Sequence, residues 1–148
     1  MILALDLGTK CGWAKTHPDR VLSGSLNLGA TSIGERTLNF GDWLTGNLDG
    51  LLGVDCCYYE APHAHSGASR DIIYGLQGVL LAECVRRGID SHRVAANTLK
   101  KWATGDGRCG KLAMVERACQ IAGRTITDLD EADAICLLGL ALERSKAA

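Results

Sequence analysis

The chain opens on a short apolar run, Ile2-Leu-Ala-Leu5, that stops on a carboxylate, Asp6, and is followed at once by Gly8. Such a run, closed by a turn residue, predicts a buried strand with an acid at its end. Residues 11–16 and 21–28 are two further strand candidates, separated by the turn-forming His17-Pro18-Asp19. Three strands joined by short turns predict an antiparallel meander.

Beyond the meander the periodicity changes. Ile33, Leu38, Phe40, Trp43, Leu44, Leu48 and Leu51 fall close to helical spacing over residues 32–52, despite interrupting glycines. Residues 54–60 form the next strand candidate. Residues 69–87 read as a helix with an apolar stripe of Ile72, Ile73, Leu76, Val79, Leu80 and Val85. Gly75, Gly78 and Ala82 on that helix permit close approach of another element. A strand over 91–95 follows, then helical patterns over 97–103, 111–123 and 130–143, with Gly105-Asp106-Gly107 as a loop between the first two. The order predicts an α/β domain, a five-stranded mixed sheet with its first three strands antiparallel and helices on its faces.

A chain of 148 residues, 47% of them hydrophobic, suits a single domain over residues 1–148. It contains no apolar run of membrane-spanning length and begins without a basic leader, so a soluble, intracellular protein with no membrane partner is expected. The seven cysteines include no C-x-x-C pair, and most lie in apolar stretches. They are expected to be reduced and structural rather than a disulfide framework or a zinc site.

The net charge of -1 conceals an asymmetry. Residues 86–124 hold nine basic residues against three acidic ones, a local +6 that leaves the remainder at -7. Clustered Lys and Arg can contact phosphates, while carboxylates elsewhere can bind cations. Charge of this kind also solvates helix faces, and alone it does not decide between the two.

Four acids stand out. Asp6 and Glu60 each end a strand candidate, and Asp130 and Asp133 share one helix face at i, i+3 spacing. If the first and fourth strands are neighbours and the last helix crosses their ends, the four converge. A carboxylate cluster without His or Cys selects hard cations such as Mg²⁺ or Mn²⁺. Two such ions can activate water and stabilise the leaving oxygen of a phosphodiester. Asp128 and Glu131, by contrast, have the spacing of a helix-capping pair.

These residues resemble the RuvC-like family of the RNase H-like superfamily, which contains Holliday junction resolvases. The segment Asp6-Leu-Gly-Thr-Lys-Cys-Gly-Trp-Ala14 is similar to the family's opening motif, Tyr59-Glu60-Ala-Pro to its second, and Asp130-Glu-Ala-Asp133-Ala to its closing one. Lys100, Gly105, Gly107 and Lys111 fit its K-x4-G-x-G-x3-K spacing. The match runs from Asp6 to Asp133, nearly the whole chain.

The resemblance implies an RNase H-like fold and metal binding by Asp6, Glu60, Asp130 and Asp133, with two Mg²⁺ or Mn²⁺ ions per site. It implies that Lys111 acts on the scissile phosphate, with Lys100, Lys101 and Arg108 contacting DNA. The implied activity is resolution of four-way junctions by a homodimer through paired nicks that leave 5′-phosphate and 3′-hydroxyl ends. Where the family offers an intruding aromatic ring after the second motif, this chain has His63 and His65, and His63 is expected to stack on a base. The short length resembles phage and viral members, so a bacterial or phage-infected host cytoplasm is the expected location. Three alternatives remain open: a broader flap or fork endonuclease, a YqgF-like RNA nuclease, and a nuclease-dead or actin-like binding scaffold.

Overall fold

β1 (Ile2–Asp6) is the middle strand of a five-stranded sheet ordered β3-β2-β1-β4-β5. The molecule is described from a computed structural model covering residues 1–29, 32–49, 53–62 and 67–147. β2 (Lys10–Thr16) and β3 (Val21–Asn27) continue from β1 as an antiparallel meander. β4 (Cys56–Glu60) and β5 (Asp90–Val94) lie parallel to β1 on its other side. Parallel neighbours need crossover connections. α1 (Ile33–Leu48) precedes β4, and α2 (Ala68–Arg87) joins β4 to β5. α3 (Ala96–Thr104), α4 (Lys111–Ala122) and α5 (Leu129–Ala147) complete the chain.

Strand alternation divides the side chains of β1 between two cores. Leu3 and Leu5 join Cys57 and Tyr59 of β4 beneath Phe40 and Leu44 of α1 and Leu76 and Leu80 of α2. Ile2 and Ala4 join Ala14 and Tyr58 beneath Ile135 and Leu138 of α5, with Leu99 of α3 and Met114 of α4 in the same cluster. Both faces of β1 and β4 are therefore covered, which explains why their sequences stay apolar until the final acid. Among the described residues no helix is long and apolar enough to cross a membrane.

α5 is buried on nearly every side, and Ala134 to Leu138 are five consecutive residues without exposure. A helix hydrophobic all round belongs inside a domain, and α5 lies between the sheet and α3 and α4. Two glycines permit that depth. A Cβ at Gly12 would stand 1.9 Å from the Asp130 carbonyl oxygen, and one at Gly139 would stand 2.7 Å from the Trp102 ring.

Three details differ from the sequence expectation. α1 ends at Leu48, with Asp49 as its C-cap, and Leu51 lies outside the described residues. Val85, expected on the apolar stripe of α2, is 83% exposed. The small residues of α2 do not act together. Gly75 faces α1, where an added Cβ would meet Thr37 Oγ1 at 3.2 Å, whereas Gly78 and Ala82 face outward. All seven cysteines are free in the structure, and burial pushes the Cys136 thiol up to about 12.

The packing at Gly12 generates a stability test. Gly12→Ala must push α5 off β2, so it should cost about 3 kcal/mol or more. Gly46→Ala, in a helix with open space around it, should instead stabilise by about 0.5–1 kcal/mol. Thermal melts of the two variants beside the parent check both signs.

Candidate active site

The site begins with strand register. Ile2 pairs with Cys56 and Leu5 with Tyr59 across the parallel β1 and β4, so the next step along both strands sets Asp6 beside Glu60. Alternation puts both acids on the face that carries Ile2, Ala4 and Tyr58, which is the face α5 covers. On the other side of β1, Asp6 pairs with Gly12. The missing side chain at Gly12 is what lets the first turn of α5 settle there.

That turn is fixed by its own cap. Asp128 Oδ1 accepts from the Asp130 and Glu131 backbone N–H groups at 3.0 and 3.1 Å, the N-cap role its spacing predicts. Glu131 differs from the expected reciprocal cap: its Oε1 accepts from Ser23 Oγ at 2.9 Å and pairs with Arg124 at 2.6 Å. Side chains of β3 thus anchor the start of α5. Asp130 and Asp133 occupy that start, where the helix dipole favours negative charge.

The carboxylates feel one another. Burial raises the Asp6 carboxyl well above the ordinary range, and the charges of Glu60, Asp133 and Asp130 raise it further. Burial, with Asp133, pushes Glu60 up to about 7. Asp133 is raised by burial and by Asp130. Two cations oppose this: Lys100 lowers Glu60 and Asp133, and Lys111 lowers Asp6 and Asp133. The structure therefore brings Asp6, Glu60, Asp130, Asp133, Lys100 and Lys111 into a single electrostatic neighbourhood.

Lys100 lies on α3, and Lys111 is the first residue of α4. Lys101 and Arg108 are exposed on α3 and on the α3–α4 loop. Of the other cations of the basic segment, Arg86 and Arg87 pair with Glu83, Arg87 also with Asp49, and Arg124 with Glu131, whereas Arg93 is exposed on β5. Arg117 lies over the Trp102 ring at 5.2 Å. His63 and His65 lie outside the described residues.

The donor chemistry suits a hard divalent cation. Four partly buried carboxylates supply oxygen ligands without sulfur or imidazole, and a cation among them would offset the burial and the mutual repulsion that together raise Asp6 and Glu60. As the side chains stand, however, no group of three His, Cys, Asp or Glu among the described residues is closed up enough to hold an ion.

No protein-family model matches the sequence, and no curated protein does. Solved structures do match. Thermus thermophilus RuvC superposes with a TM-score of 0.79 at 14% identity, covering 99% of this chain and 96% of that one. This chain has the RuvC fold. T. thermophilus RuvC in complex with Holliday junction substrate gives a TM-score of 0.80 at 14% identity, covering 99% and 95% of the two chains. The yeast mitochondrial Holliday junction resolvase gives 0.59 at 12% identity, covering 92% and 75%.

Within this RuvC fold, two participants escaped the sequence expectation. Gly12 matters only through its distance to α5, which no local pattern encodes. Lys10, at the start of β2, hydrogen-bonds Asp128 and lies 3.7 Å from Asp130. It lies within the opening motif, but its partners are more than a hundred residues away.

The raised carboxyls predict a pH dependence. A carboxyl whose folded pKa is raised favours folding when protonated. For Glu60 that contribution is full below about 4.5 and is lost as pH rises through about 7. In chelator, the protein should melt higher at pH 5.5 than at pH 8. Asp6→Asn should raise the melting temperature at pH 8, with the gain shrinking at pH 5.5. Equal gains at both pH values would contradict the assignment.

Proposed function

We propose that the protein is a divalent-metal-dependent endonuclease that resolves Holliday junctions. The observation carrying this reading is the meeting of Asp6 and Glu60, from paired parallel strand ends, with Asp130 and Asp133 of α5, flanked by Lys100 and Lys111. Bound Mg²⁺ or Mn²⁺, two ions per site, supplies an activated water and charge stabilisation on the leaving oxygen. The four carboxylates hold that charge in place, and the sheet and α5 fix their spacing.

Lys111 faces the same acids from the first turn of α4 and acts on the non-bridging phosphate oxygens, where negative charge develops during in-line attack. Lys100 provides a second positive charge beside Glu60 and Asp133. Lys101 and Arg108, exposed and without an ion pair among the described residues, take the DNA backbone as phosphate contacts. Attack of water on phosphorus with departure of the O3′ oxygen, which takes up a proton, leaves the phosphate on O5′ and so gives 5′-phosphate and 3′-hydroxyl ends. His63, which follows the second motif in the sequence, is assigned the base-stacking role.

A homodimer gives paired nicks on a four-way junction. The outer face of α2 suits the second copy, because Tyr74 at 52% exposure and Val85 at 83% flank the outward-facing Gly78 and Ala82. Holliday junction substrate is bound by the T. thermophilus RuvC neighbour, and the nearly complete overlap of the two folds supports the same substrate class here.

Junction, flap, fork and linear duplex DNA tested side by side with Mg²⁺ or Mn²⁺ should show preferential cutting of the four-way junction. A flap, fork or RNA preference would replace the junction reading with one of its neighbours. Asp6→Asn and Glu60→Gln should stop cutting while junction binding persists, and Lys111→Ala should slow it by about 10²–10³. Undiminished cutting by Asp6→Asn would sink the active-site assignment.

Lys101→Ala and Arg108→Ala should each flatten the salt dependence of binding by about one in log–log slope. Sedimentation on junction DNA should show two copies per junction. Monomer alone would overturn the paired-nick model.

A further inference from the structure

Lys10 has two acidic partners that are not equivalent. Its Nζ hydrogen-bonds Asp128 Oδ2 and lies 3.7 Å from Asp130 Oδ2. Asp128 is held by the helix it caps and by Ser25, whose Oγ donates to the same Oδ2 at 3.1 Å. It is a permanent partner. Asp130 receives only the looser ion pair and also belongs to the acid cluster around Asp6. The Lys10 side chain is 46% exposed, so its head can move without disturbing the core.

We propose that Lys10 is a resident counter-charge that shares Asp130 with the divalent cation and thereby sets the metal affinity of the site, an inference that rests on the metal-nuclease reading above. Without metal, Lys10 offsets part of the repulsion that Asp130 feels from its neighbours. Metal loading draws the Asp130 carboxylate away from Lys10, which retains Asp128, so the exchange breaks the loose contact and keeps the firm one. The ammonium then stands near the incoming cation and weakens its binding by like-charge repulsion. Lys10 is a positioning residue, since it acts through Asp130 rather than on the phosphate.

The sign of the effect separates this role from a merely structural one. Lys10 also ties β2 to the cap of α5. If that tie were its whole contribution, removing it would loosen the acid cluster and weaken metal binding. If it competes for Asp130, removing its charge strengthens binding.

The test titrates the intact protein with Mn²⁺ by calorimetry, with the Mn²⁺ dependence of the melting temperature as a second readout. Lys10→Met, and Lys10→Gln, which keeps a hydrogen-bond donor for Asp128, should each bind Mn²⁺ about 3- to 30-fold more tightly, as expected for removing one unit charge several ångströms from a surface divalent ion. Lys10→Arg should stay near the parent. Unchanged or weakened binding in the folded Gln variant would overturn the role of Lys10 and leave the metal-nuclease reading intact. No Mn²⁺ binding by the parent itself would overturn both.

Discussion

The first turn of α5 rests on the backbone of β2 at Gly12, with no side chain between them. The placement of the acids depends on that closeness. The aliphatic residues of α5 drive it inward: burying Ile135, Leu137, Leu138 and Leu140 is worth roughly 6–12 kcal/mol. Opposing it is the cost of bringing Asp130 and Asp133 towards Asp6 and Glu60. For Glu60 alone, whose carboxyl is raised from 4.5 to about 7 chiefly by burial, staying ionised costs roughly 3–4 kcal/mol, and Asp6 and Asp133 are raised as well. The fold thus holds carboxylates at a spacing they would not adopt alone.

Charge is sorted by the same architecture. In the basic segment, the arginines that close α2 and precede α5 are spent on Glu83, Asp49 and Glu131, where they fasten elements together. Of the cations left facing outward or towards the acids, Lys100, Lys101, Arg108 and Lys111 cluster on α3, at the start of α4 and in the loop between them. A net charge near zero is thus compatible with an acidic hollow beside a basic shoulder. On the nuclease reading proposed above, an anionic polymer would meet the shoulder first, and cations would have to neutralise the acids before it entered the hollow.

Much of this was legible in the sequence. The apolar runs ending on Asp6 and Glu60 specify strands covered on both faces, and the period-two to helical switch gives the element order. The i, i+3 spacing of Asp130 and Asp133 places them on one helical face. What was not legible depends on distance in space. Gly12 looks like any turn-adjacent glycine until α5 lies on it, and Lys10 gains its partners only when residues at opposite ends of the chain meet. Val85, counted with the apolar stripe of α2, is exposed because it falls on the outer face with Tyr74, Gly78 and Ala82, while its neighbour Cys84 is buried. Glu131 has the spacing of a capping residue, but Arg124 and Ser23 offer its carboxylate an ion pair and a hydroxyl, and these win.

The site is divided unevenly along the chain. Asp6 emerges with the first strand and Glu60 with the fourth, whereas Asp133 comes after all five strands have been made. During synthesis the nascent chain carries Asp6 and Glu60 of the cluster but neither Asp130 nor Asp133 until α5 has been made. The last helix therefore brings two things at once, and a chain interrupted before α5 would lack both Asp130 and Asp133 and the cover over Ile2, Ala4 and Tyr58.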